Sequence, residues 1–463
     1  MKRILSVCTF LLLLAFLLCS AYRILAWKDT TGEYLSDTEQ LYATGDDLID
    51  LVFVGSSHIY CGVNPAYLWG NAGISAFDLS ISGMDKISSE YHLKELFKTQ
   101  SPQVVCLDLY DLLFDRQPLE SNVYRNYLSM RPSVNSVEAV LAYQPENPAD
   151  YITRWPILHT RYKELKAFDF VQNQTSLFGR GFSYQFSFTP QTQDPAALAT
   201  SSVTELSDQN RNWLDTIIDL CADHGSNLYT VMMPMIVDEK NQAIINGAKQ
   251  YLESRGIECL DLNQHAQEIG LDYAVHFLDD QHLNTYGAQK VTAYLLQELT
   301  SRYTFADHRG DARYALWDEN ALYDGHQWQL NAFQQVPQDD LDGALLALAS
   351  CSDVTVAVSV PADYSNPSSD WPDLLMALGA TPEQIELRGQ WILQGGRVLG
   401  FVAANSGETA NADLNQVDTL TITADDDASV LLNGVDLLSH PGAVVLIVYD
   451  NYDAKVLTQR FYL

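Results

Sequence analysis

The chain has little positive charge. Its 463 residues include 27 Lys and Arg against 59 Asp and Glu, for a formal net charge of -32 at pH 7. A charge of this sign repels phosphate backbones and anionic lipid headgroups. The composition therefore argues against nucleic-acid binding and against membrane attachment through a polybasic patch, and it leaves neutral and cationic partners open.

Cysteines are also few, and they show no paired spacing. Two of the seven, Cys8 and Cys19, lie in an apolar N-terminal segment, and the other five form an odd set. Cys106 and Cys259 fall in strand-like runs, where cysteine acts as a small hydrophobic residue. The sequence therefore predicts no disulfide framework and no metal site, and no cofactor is expected.

One long apolar run is present at the N-terminus. Residues Ile4 to Tyr22 follow Lys2 and Arg3 and contain only small or weakly polar interruptions. This length suits the roughly 20 residues that a helix needs to cross a bilayer, and the leading basic residues favour a cytoplasmic end. A cleaved signal is the alternative, but no clean small-x-small site precedes a polar stretch. We expect residues 1–27 to anchor an extracytoplasmic body in the cell membrane.

Strand-like runs alternate with helical patterns between residues 49 and 303. The predicted strands are Leu51–Val54, Val104–Leu109, Leu228–Met233 and Ile257–Leu262. Helices are predicted between them, and a last helix begins after Asn284, which is placed to cap it. This alternation predicts an α/β fold, a doubly wound and mostly parallel sheet flanked by helices. Ligands bind such sheets beyond the carboxyl ends of the strands.

Two polar segments are predicted at that edge of the sheet. Gly55-Ser56-Ser57-His58 follows the first strand, and Asp279-Asp280-Gln281-His282 precedes the last helix. A serine hydroxyl becomes a nucleophile when a histidine takes its proton, and a carboxylate can fix the tautomer of that histidine. Each motif alone also fits an ordinary turn or helix cap, but their order and shared edge favour a catalytic set of Ser57, His282 and Asp279.

These motifs resemble those of the SGNH or GDSL hydrolases over about residues 48–300. Gly55-Ser56-Ser57 resembles the first conserved block, Leu79–Met84 resembles the second, and Asp279-x-x-His282 resembles the last. The resemblance implies an acyl-serine mechanism. It also implies an oxyanion hole built from the backbone N–H groups of Ser57 and Gly83.

The third block departs from the family pattern. The family usually supplies an oxyanion-binding asparagine there, whereas the corresponding strand here ends Leu107-Asp108-Leu109-Tyr110-Asp111. The Tyr110 hydroxyl is the candidate replacement. Asp108 and Asp111 fit strand-end caps, with ligand contact as the alternative. His58 is predicted to form a wall of the site rather than act as its base, and Asp280 to be solvated.

An insertion interrupts the alternation at about residues 112–206. It is rich in aromatic residues and punctuated by prolines, which is typical of a lid or substrate wall. Its aromatic rings would suit stacking on sugars, and Arg125, Arg131 and Arg161 would suit an anionic substituent. A small packed subdomain is the alternative.

Residues 304–463 are predicted to form a smaller α+β domain. The alternating valines of Val354–Val360 predict a half-buried strand, and Val444–Tyr449 with Val456–Phe461 predict a terminal hairpin. Val430–Val435 and Val448–Asp450 resemble segments of interleukin-like EMT inducer domains, in permuted order. We expect an accessory role in binding carbohydrate or a partner protein.

The sequence thus predicts an anchor (1–27), a hydrolase-like domain (28–303) and an accessory domain (304–463). The expected function is that of an extracytoplasmic serine esterase or O-acyltransferase. Its expected substrates are the acyl groups, above all acetyl, of a cell-envelope polysaccharide or an acylated small molecule, with an envelope-biosynthesis protein as a further partner. The alternative is a non-catalytic glycan-binding or scaffolding protein on a degenerate hydrolase core, favoured by the missing asparagine.

Overall fold

The computed structural model describes most of the chain. The described residues are 2–26, 35–114, 120–165, 167–170, 178–366, 369–424, 429–438 and 442–462. The chain divides into two compact units, Met1–Ala321 and Leu322–Leu463.

A parallel five-stranded sheet forms the centre of the first unit. Its strands are β1 (Leu51–Gly55), β2 (Ala76–Ser80), β3 (Val104–Asp108), β4 (Asn227–Met232) and β5 (Cys259–Asp261). They lie in the order β2-β1-β3-β4-β5, each parallel to its neighbours. The predicted doubly wound architecture is confirmed. Strand β2 was not anticipated, and β5 is shorter than the predicted strand.

Helices precede, connect and follow these strands. They are α1 (Lys2–Leu25), α2 (Leu35–Ala43), α3 (Ser57–Tyr60), α4 (Pro65–Ala72), α5 (Lys86–Leu96), α6 (Glu120–Ser129), α7 (Val134–Tyr143), α8 (Pro148–Thr153), α9 (Trp155–Leu158), α10 (Pro195–Leu198), α11 (Asp208–Asp223), α12 (Glu239–Ser254), α13 (Ala266–Ile269), α14 (Thr285–Arg302) and α15 (Ala315–Gln335). Short 3-10 helices span Tyr110–Leu113, His159–Lys163, Ala167–Phe170 and Ala312–Tyr314.

Alternate residues of strand β1 face two different hydrophobic cores. Val52 and Val54 pack with residues of α5, α11 and α12, whereas Leu51 and Phe53 pack with residues of α4 and α14. Successive side chains of a strand point to opposite faces of the sheet. Because helices cover both faces, every position of the strand is apolar, which explains why β1 appears in the sequence as a continuous apolar run.

Helix α1 is long and apolar enough to cross a membrane. Its segment Arg3–Leu25 has a mean hydropathy of 2.6, and none of it is buried within the protein. A signal sequence near an N-terminus would share these properties. The Arg161 guanidinium donates hydrogen bonds to the carbonyl oxygens of Leu25 and Ala26 at the end of this helix.

The insertion between β3 and β4 contains helices α6 to α10. Side chains from three of these helices form a small hydrophobic cluster of their own, Val123, Tyr127, Leu128, Val140 and Tyr151. The insertion therefore includes a packed subdomain, and its helix α6 also contacts the loop after β2.

The second unit is built from antiparallel sheets. Its strands are β6 (Val354–Val360), β7 (Gly389–Gln394), β8 (Arg397–Ala403), β9 (Thr409–Asp413), β10 (Thr419–Thr423), β11 (Ser429–Leu432), β12 (Val435–Asp436), β13 (Val444–Asp450) and β14 (Lys455–Tyr462). They form two sheets, β14-β13-β6-β7-β8 and β12-β11-β10-β9. The part of α15 from Leu322 onward and helices α16 (Leu341–Ala349), α17 (Trp371–Ala377) and α18 (Pro382–Leu387) complete the unit. The predicted terminal hairpin is confirmed as β13 and β14.

Strand β6 corrects the prediction of a half-buried strand. All seven of its residues are buried. Val356 and Val358 pack in a core with the helices, whereas Ala357 on the opposite face packs against Leu420 and Ile422 of the second sheet. The alternation of valine with smaller or polar residues therefore separates two faces of the strand that are both buried. It does not separate a buried face from a solvent-exposed one.

Candidate active site

The turn after β1 carries Ser57 at the carboxyl edge of the sheet. Gly55 ends the strand, and a side chain there would meet Asp108 and Ile59, since an added Cβ would lie 2.8 Å from the Asp108 Cβ and 2.7 Å from the Ile59 Cγ1. Ser56 has an extended backbone, and Ser57 begins helix α3. The close packing explains the glycine, and the sharp change from strand to helix places Ser57 at the edge where ligands bind such sheets.

A tight loop before α14 holds Asp279 beside His282. One carboxylate oxygen of Asp279 accepts hydrogen bonds from the backbone N–H groups of Gln281 and His282, both at 2.8 Å. The Leu278 N–H donates to the carbonyl oxygen of His282 at 2.9 Å and closes the base of the loop. Aspartate favours such turns because its side chain can bond the backbone two or three residues ahead.

These two segments bring the three predicted side chains into one hydrogen-bonded chain. The Oγ of Ser57 lies 2.7 Å from the Nε2 of His282. The Nδ1 of His282 lies 2.9 and 3.0 Å from the two carboxylate oxygens of Asp279. Because an ionised carboxylate only accepts hydrogen bonds, Nδ1 carries the hydrogen and Nε2 is left to accept the Ser57 hydroxyl. The His282 side chain is 23% exposed and therefore open to a ligand.

Electrostatics keep Asp279 ionised. Partial burial raises the pKa of Asp279, but hydrogen bonds from the His282 ring and the loop backbone outweigh burial, and the net pKa lies below its ordinary value. A charged carboxylate behind the ring stabilises the imidazolium that forms when His282 takes a proton.

His58 lies against the site as a neutral wall. Its ring stacks on Tyr110 with centroids 3.7 Å apart and meets the edge of His282 at 5.3 Å. Burial, with the nearby His282 as a second cause, lowers the pKa of His58 to about 3. His58 therefore stays uncharged near neutral pH.

The loop after β2 places Gly83 next to an asparagine. Gly83 has a φ of +69°, and an added Cβ would lie 2.5 Å from the Nδ2 of Asn122 on α6. On the same helix, the Arg125 guanidinium donates to the Ser82 Oγ at 2.8 Å, and the Asn126 amide donates to the Gly83 carbonyl at 3.2 Å. Sequence reasoning missed Asn122, because the insertion that carries it has no spacing that links it to the second block.

The predictions for three side chains need correction. The Tyr110 hydroxyl donates to the Gln281 Oε1 at 2.7 Å, so its hydrogen is already used and Tyr110 does not replace the missing oxyanion donor. Arg131 pairs with Glu39, and Arg161 pairs with buried Asp169, each at 2.7 Å. These two arginines are therefore held by carboxylates of the protein itself.

A small buried space behind the nucleophile turn is lined by polar atoms. Ser56 Oγ, Asp85 Oδ2 and Asp108 Oδ2 line it and have no hydrogen-bond partner among the described residues. Burial raises the pKa of Asp108 to about 7 and that of Asp85 to about 6. Asp108 lies beneath the turn, because a Cβ added at Gly55 would be 2.8 Å from the Asp108 Cβ.

Among the solved structures that are similar to this chain, two show how weak the similarity is. No family model and no curated protein matches the sequence. A Bacteroides fragilis protein provisionally assigned as an acylhydrolase aligns with 57% of this chain and 94% of its own, at 10% identity and a TM-score of 0.30. A gut microbial diltiazem-metabolizing enzyme aligns with 56% of this chain but only 47% of its own, at 15% identity and a TM-score of 0.24. Both TM-scores are below 0.5, so nothing about activity rests on them, and the resemblances to SGNH hydrolases and to interleukin-like domains stay predictions.

Proposed function

We propose that the chain is a serine esterase or O-acyltransferase. The observation that carries the proposal is the unbroken hydrogen-bonded chain from the Ser57 hydroxyl through His282 to Asp279. A serine, a histidine and a carboxylate in this order are what nucleophilic acyl transfer requires.

The reaction follows from this geometry. As the Ser57 Oγ bonds to the acyl carbon, its proton passes to the Nε2 of His282, and Asp279 stabilises the resulting imidazolium. The Nε2 proton then goes to the leaving oxygen as its bond to the acyl carbon breaks, which leaves an acyl group on Ser57. Water or a sugar hydroxyl next gives its proton to Nε2, attacks the acyl carbon, and releases Ser57 with its proton restored.

The oxyanion formed in each step needs hydrogen-bond donors. We assign this role to the backbone N–H groups of Ser57 and Gly83 and to the side-chain amide of Asn122, which lies against Gly83. An asparagine from the insertion would supply the donor that the third block lacks. One such donor is worth about 100-fold to 1,000-fold in rate.

The proposed substrate is an acyl group, above all acetyl, on a cell-envelope polysaccharide. The support is helix α1, which is long and apolar enough to tether the enzyme to a membrane. The basic residues Lys2 and Arg3 before it favour a cytoplasmic N-terminus, which would leave the body outside. Protease added to intact cells should then digest the body and spare the anchor, and complete protection would contradict this location.

Burst kinetics test the proposed chemistry. Full-length protein in detergent should release nitrophenol from nitrophenyl acetate in a burst equal to the enzyme concentration, with the acetyl group found on Ser57 by mass spectrometry. Ser57→Ala should abolish the burst, whereas Ser56→Ala, the matched change at the adjacent serine, should keep it. Equal inactivity of wild type and Ser57→Ala, with both still binding envelope glycan, would favour the non-catalytic alternative.

A further inference from the structure

A large cavity begins beside the proposed catalytic residues. Its volume is about 820 Å³, within the range of clefts that bind small ligands. Tyr110 and Gln281 form its near wall, and their side chains are hydrogen-bonded to each other. Tyr110 stacks on His58, the neighbour of the nucleophile, and Gln281 directly precedes His282. The cavity is therefore separated from the reacting atoms by about one layer of side chains.

The cavity wall is rich in hydrogen-bond acceptors. Asp194, Asp238, Glu239 and Asp280 contribute carboxylates, and no lysine or arginine occurs among the described residues that line it. Asp194 and Asp238 are fixed in place because each also accepts a backbone N–H at the start of a helix. Such a wall repels carboxylate and phosphate groups and favours ligands that donate hydrogen bonds.

A row of aromatic rings is formed by the chain segment that leads to this cavity together with Tyr286 of α14. Tyr184 and Phe186 stack with ring centroids 6.4 Å apart, and Phe186 meets Tyr286 edge to face at 5.7 Å. These three rings are partly exposed, and Phe188, two positions further, is 54% exposed. Exposed aromatic faces beside polar groups suit a ligand with apolar faces and polar edges.

Backbone hydrogen bonds fix this row to both catalytic segments. The Ser183 N–H donates to the carbonyl oxygen of Tyr60, at the end of the short helix that begins with Ser57. The Gln185 N–H donates to the Thr285 Oγ1, and the Thr285 N–H donates to the Gln185 carbonyl oxygen, both at 2.8 Å. Thr285 begins α14, three residues after the proposed base. The aromatic row therefore borders the site, and the same segment continues through Thr192 to Ser201 into the cavity wall.

We propose that the aromatic row and the acceptor-lined cavity together form a substrate cleft for a glycan without acidic groups, either uncharged or amino-bearing. A sugar ring offers apolar C–H faces to aromatic rings and hydroxyl donors to carboxylates, which matches both parts of the cleft. This inference rests on the proposed function for the position of the reacting acyl group, but binding of the glycan does not require catalysis.

Substrate competition is the first test. At low ionic strength, wild type should deacetylate acetylated xylo-oligosaccharides with a kcat/KM at least tenfold above that for acetylated oligogalacturonides of equal length. An equal or reversed preference would overturn the proposal. Acyl release from acetylated peptides or long-chain esters in preference to either glycan would overturn it too.

Charge reversal within the cleft sharpens the test. Glu239→Lys should reduce the preference for the neutral glycan by about threefold or more, because it removes one repulsive charge and adds an attractive one. Glu253→Lys makes the same change in net charge on the same helix but outside the cavity, and it serves as the matched control. Equal effects of both variants would show that overall charge, not the cleft, sets the preference.

Removal of an aromatic ring tests the row. Tyr184→Ala should lower kcat/KM for the acetylated xylo-oligosaccharide about three- to tenfold more than it lowers kcat/KM for nitrophenyl acetate. Tyr162→Ala, at an exposed tyrosine on the His159–Lys163 turn, is the control and should not change this ratio. An unchanged ratio in Tyr184→Ala would show that the aromatic row is not part of the substrate cleft.

Binding in the absence of turnover separates this inference from the proposed function. Calorimetry with Ser57→Ala and unacetylated oligosaccharides should show binding of the neutral glycan and at least tenfold weaker binding of the oligogalacturonide. If wild type were inactive on every ester but kept this binding preference, the proposed glycan cleft would be supported and the proposed esterase activity would be contradicted. Turnover of nitrophenyl acetate with no binding of the neutral glycan would support the esterase and overturn the cleft.

Discussion

The two units of the protein each contain a histidine paired with an aspartate, but the pairs differ in surroundings. In the first unit, His282 and Asp279 lie in a loop at the sheet edge, with side chains 23% and 53% exposed and a serine hydroxyl on the free ring nitrogen. In the second unit, His326 on α15 bonds Asp450 at 3.0 Å, and each side chain is 1% exposed. The residue types are the same, so the pairs differ in their exposure to solvent and in the third group that contacts the histidine.

The buried pair of His326 and Asp450 has a structural role in a turn. Asp450, the last residue of β13, also accepts the backbone N–H groups of Tyr452 and Asp453 in the hairpin turn. The Nδ1 of His326 has no partner among the described residues. His326 thus connects a helix to the terminal hairpin within the second unit. The comparison shows that a histidine–aspartate pair alone does not indicate catalysis.

The largest effect should come from removing the exposed histidine. His282→Ala should lower kcat for nitrophenyl acetate by about 10,000-fold or more, because Ser57 loses its base. The free energy of unfolding should change little, since the loop is partly exposed. Steady-state kinetics and urea unfolding of the same preparations check both statements, and residual activity within tenfold of wild type would contradict the proposed role.

The next effect should be on stability and in the other unit. His326→Ala should reduce the free energy of unfolding by about 3 kcal/mol, because it leaves the Asp450 carboxylate buried without its ring partner. Activity per folded molecule should remain. Urea unfolding followed with a probe in the second unit checks the loss, and a change below 1 kcal/mol would show that the pair is not a stabilising contact.

A smaller loss of rate is expected at the proposed oxyanion hole. Asn122→Ala should lower kcat by about 100-fold while changing KM little, because the amide would act on charge that develops only in the transition state. Asn126→Ala, which removes a neighbouring amide that donates to the Gly83 carbonyl, is the control for disturbance of the loop. Equal losses in both variants would make Asn122 a packing residue.

An effect of a different kind should be a pH dependence of stability that comes from the buried Asp108 beneath the nucleophile turn. The folded-state pKa of Asp108 is about 7, above the roughly 3.9 of an unfolded chain, so between these values the folded protein binds more protons than the unfolded one. Stability from Asp108 is therefore present at low pH and is lost as pH rises toward 7. Asp108→Asn should gain stability relative to wild type between pH 4.5 and 7.5, as measured by urea unfolding, and a difference that does not vary with pH would contradict the raised pKa.

Local patterns in the sequence were enough to predict much of the first unit. The apolar run Leu51–Val54 and the polar residues after it gave the strand and the turn, since a strand covered on both faces must be apolar throughout. The three-residue spacing of Asp279 and His282 predicted their contact, because a single tight turn of the chain brings the two side chains together. Strand β2 was missed because Asp78, Ser80 and the preceding Ser75 make Ala76–Ser80 look less like a strand.

What the sequence determined by itself was therefore local: the apolar helix at the N-terminus, the alternation of strands and helices, and the two motifs with their spacing. Only the tertiary structure decided that residues 225 positions apart meet at 2.7 Å, that Asn122 lies against Gly83, and that Val354–Val360 is covered on both faces. The physical reason is that these contacts depend on strand order and helix packing, which join segments distant in the chain. The pattern of apolar and polar residues along the chain indicates which side chains are buried. It does not indicate which distant segment packs against them.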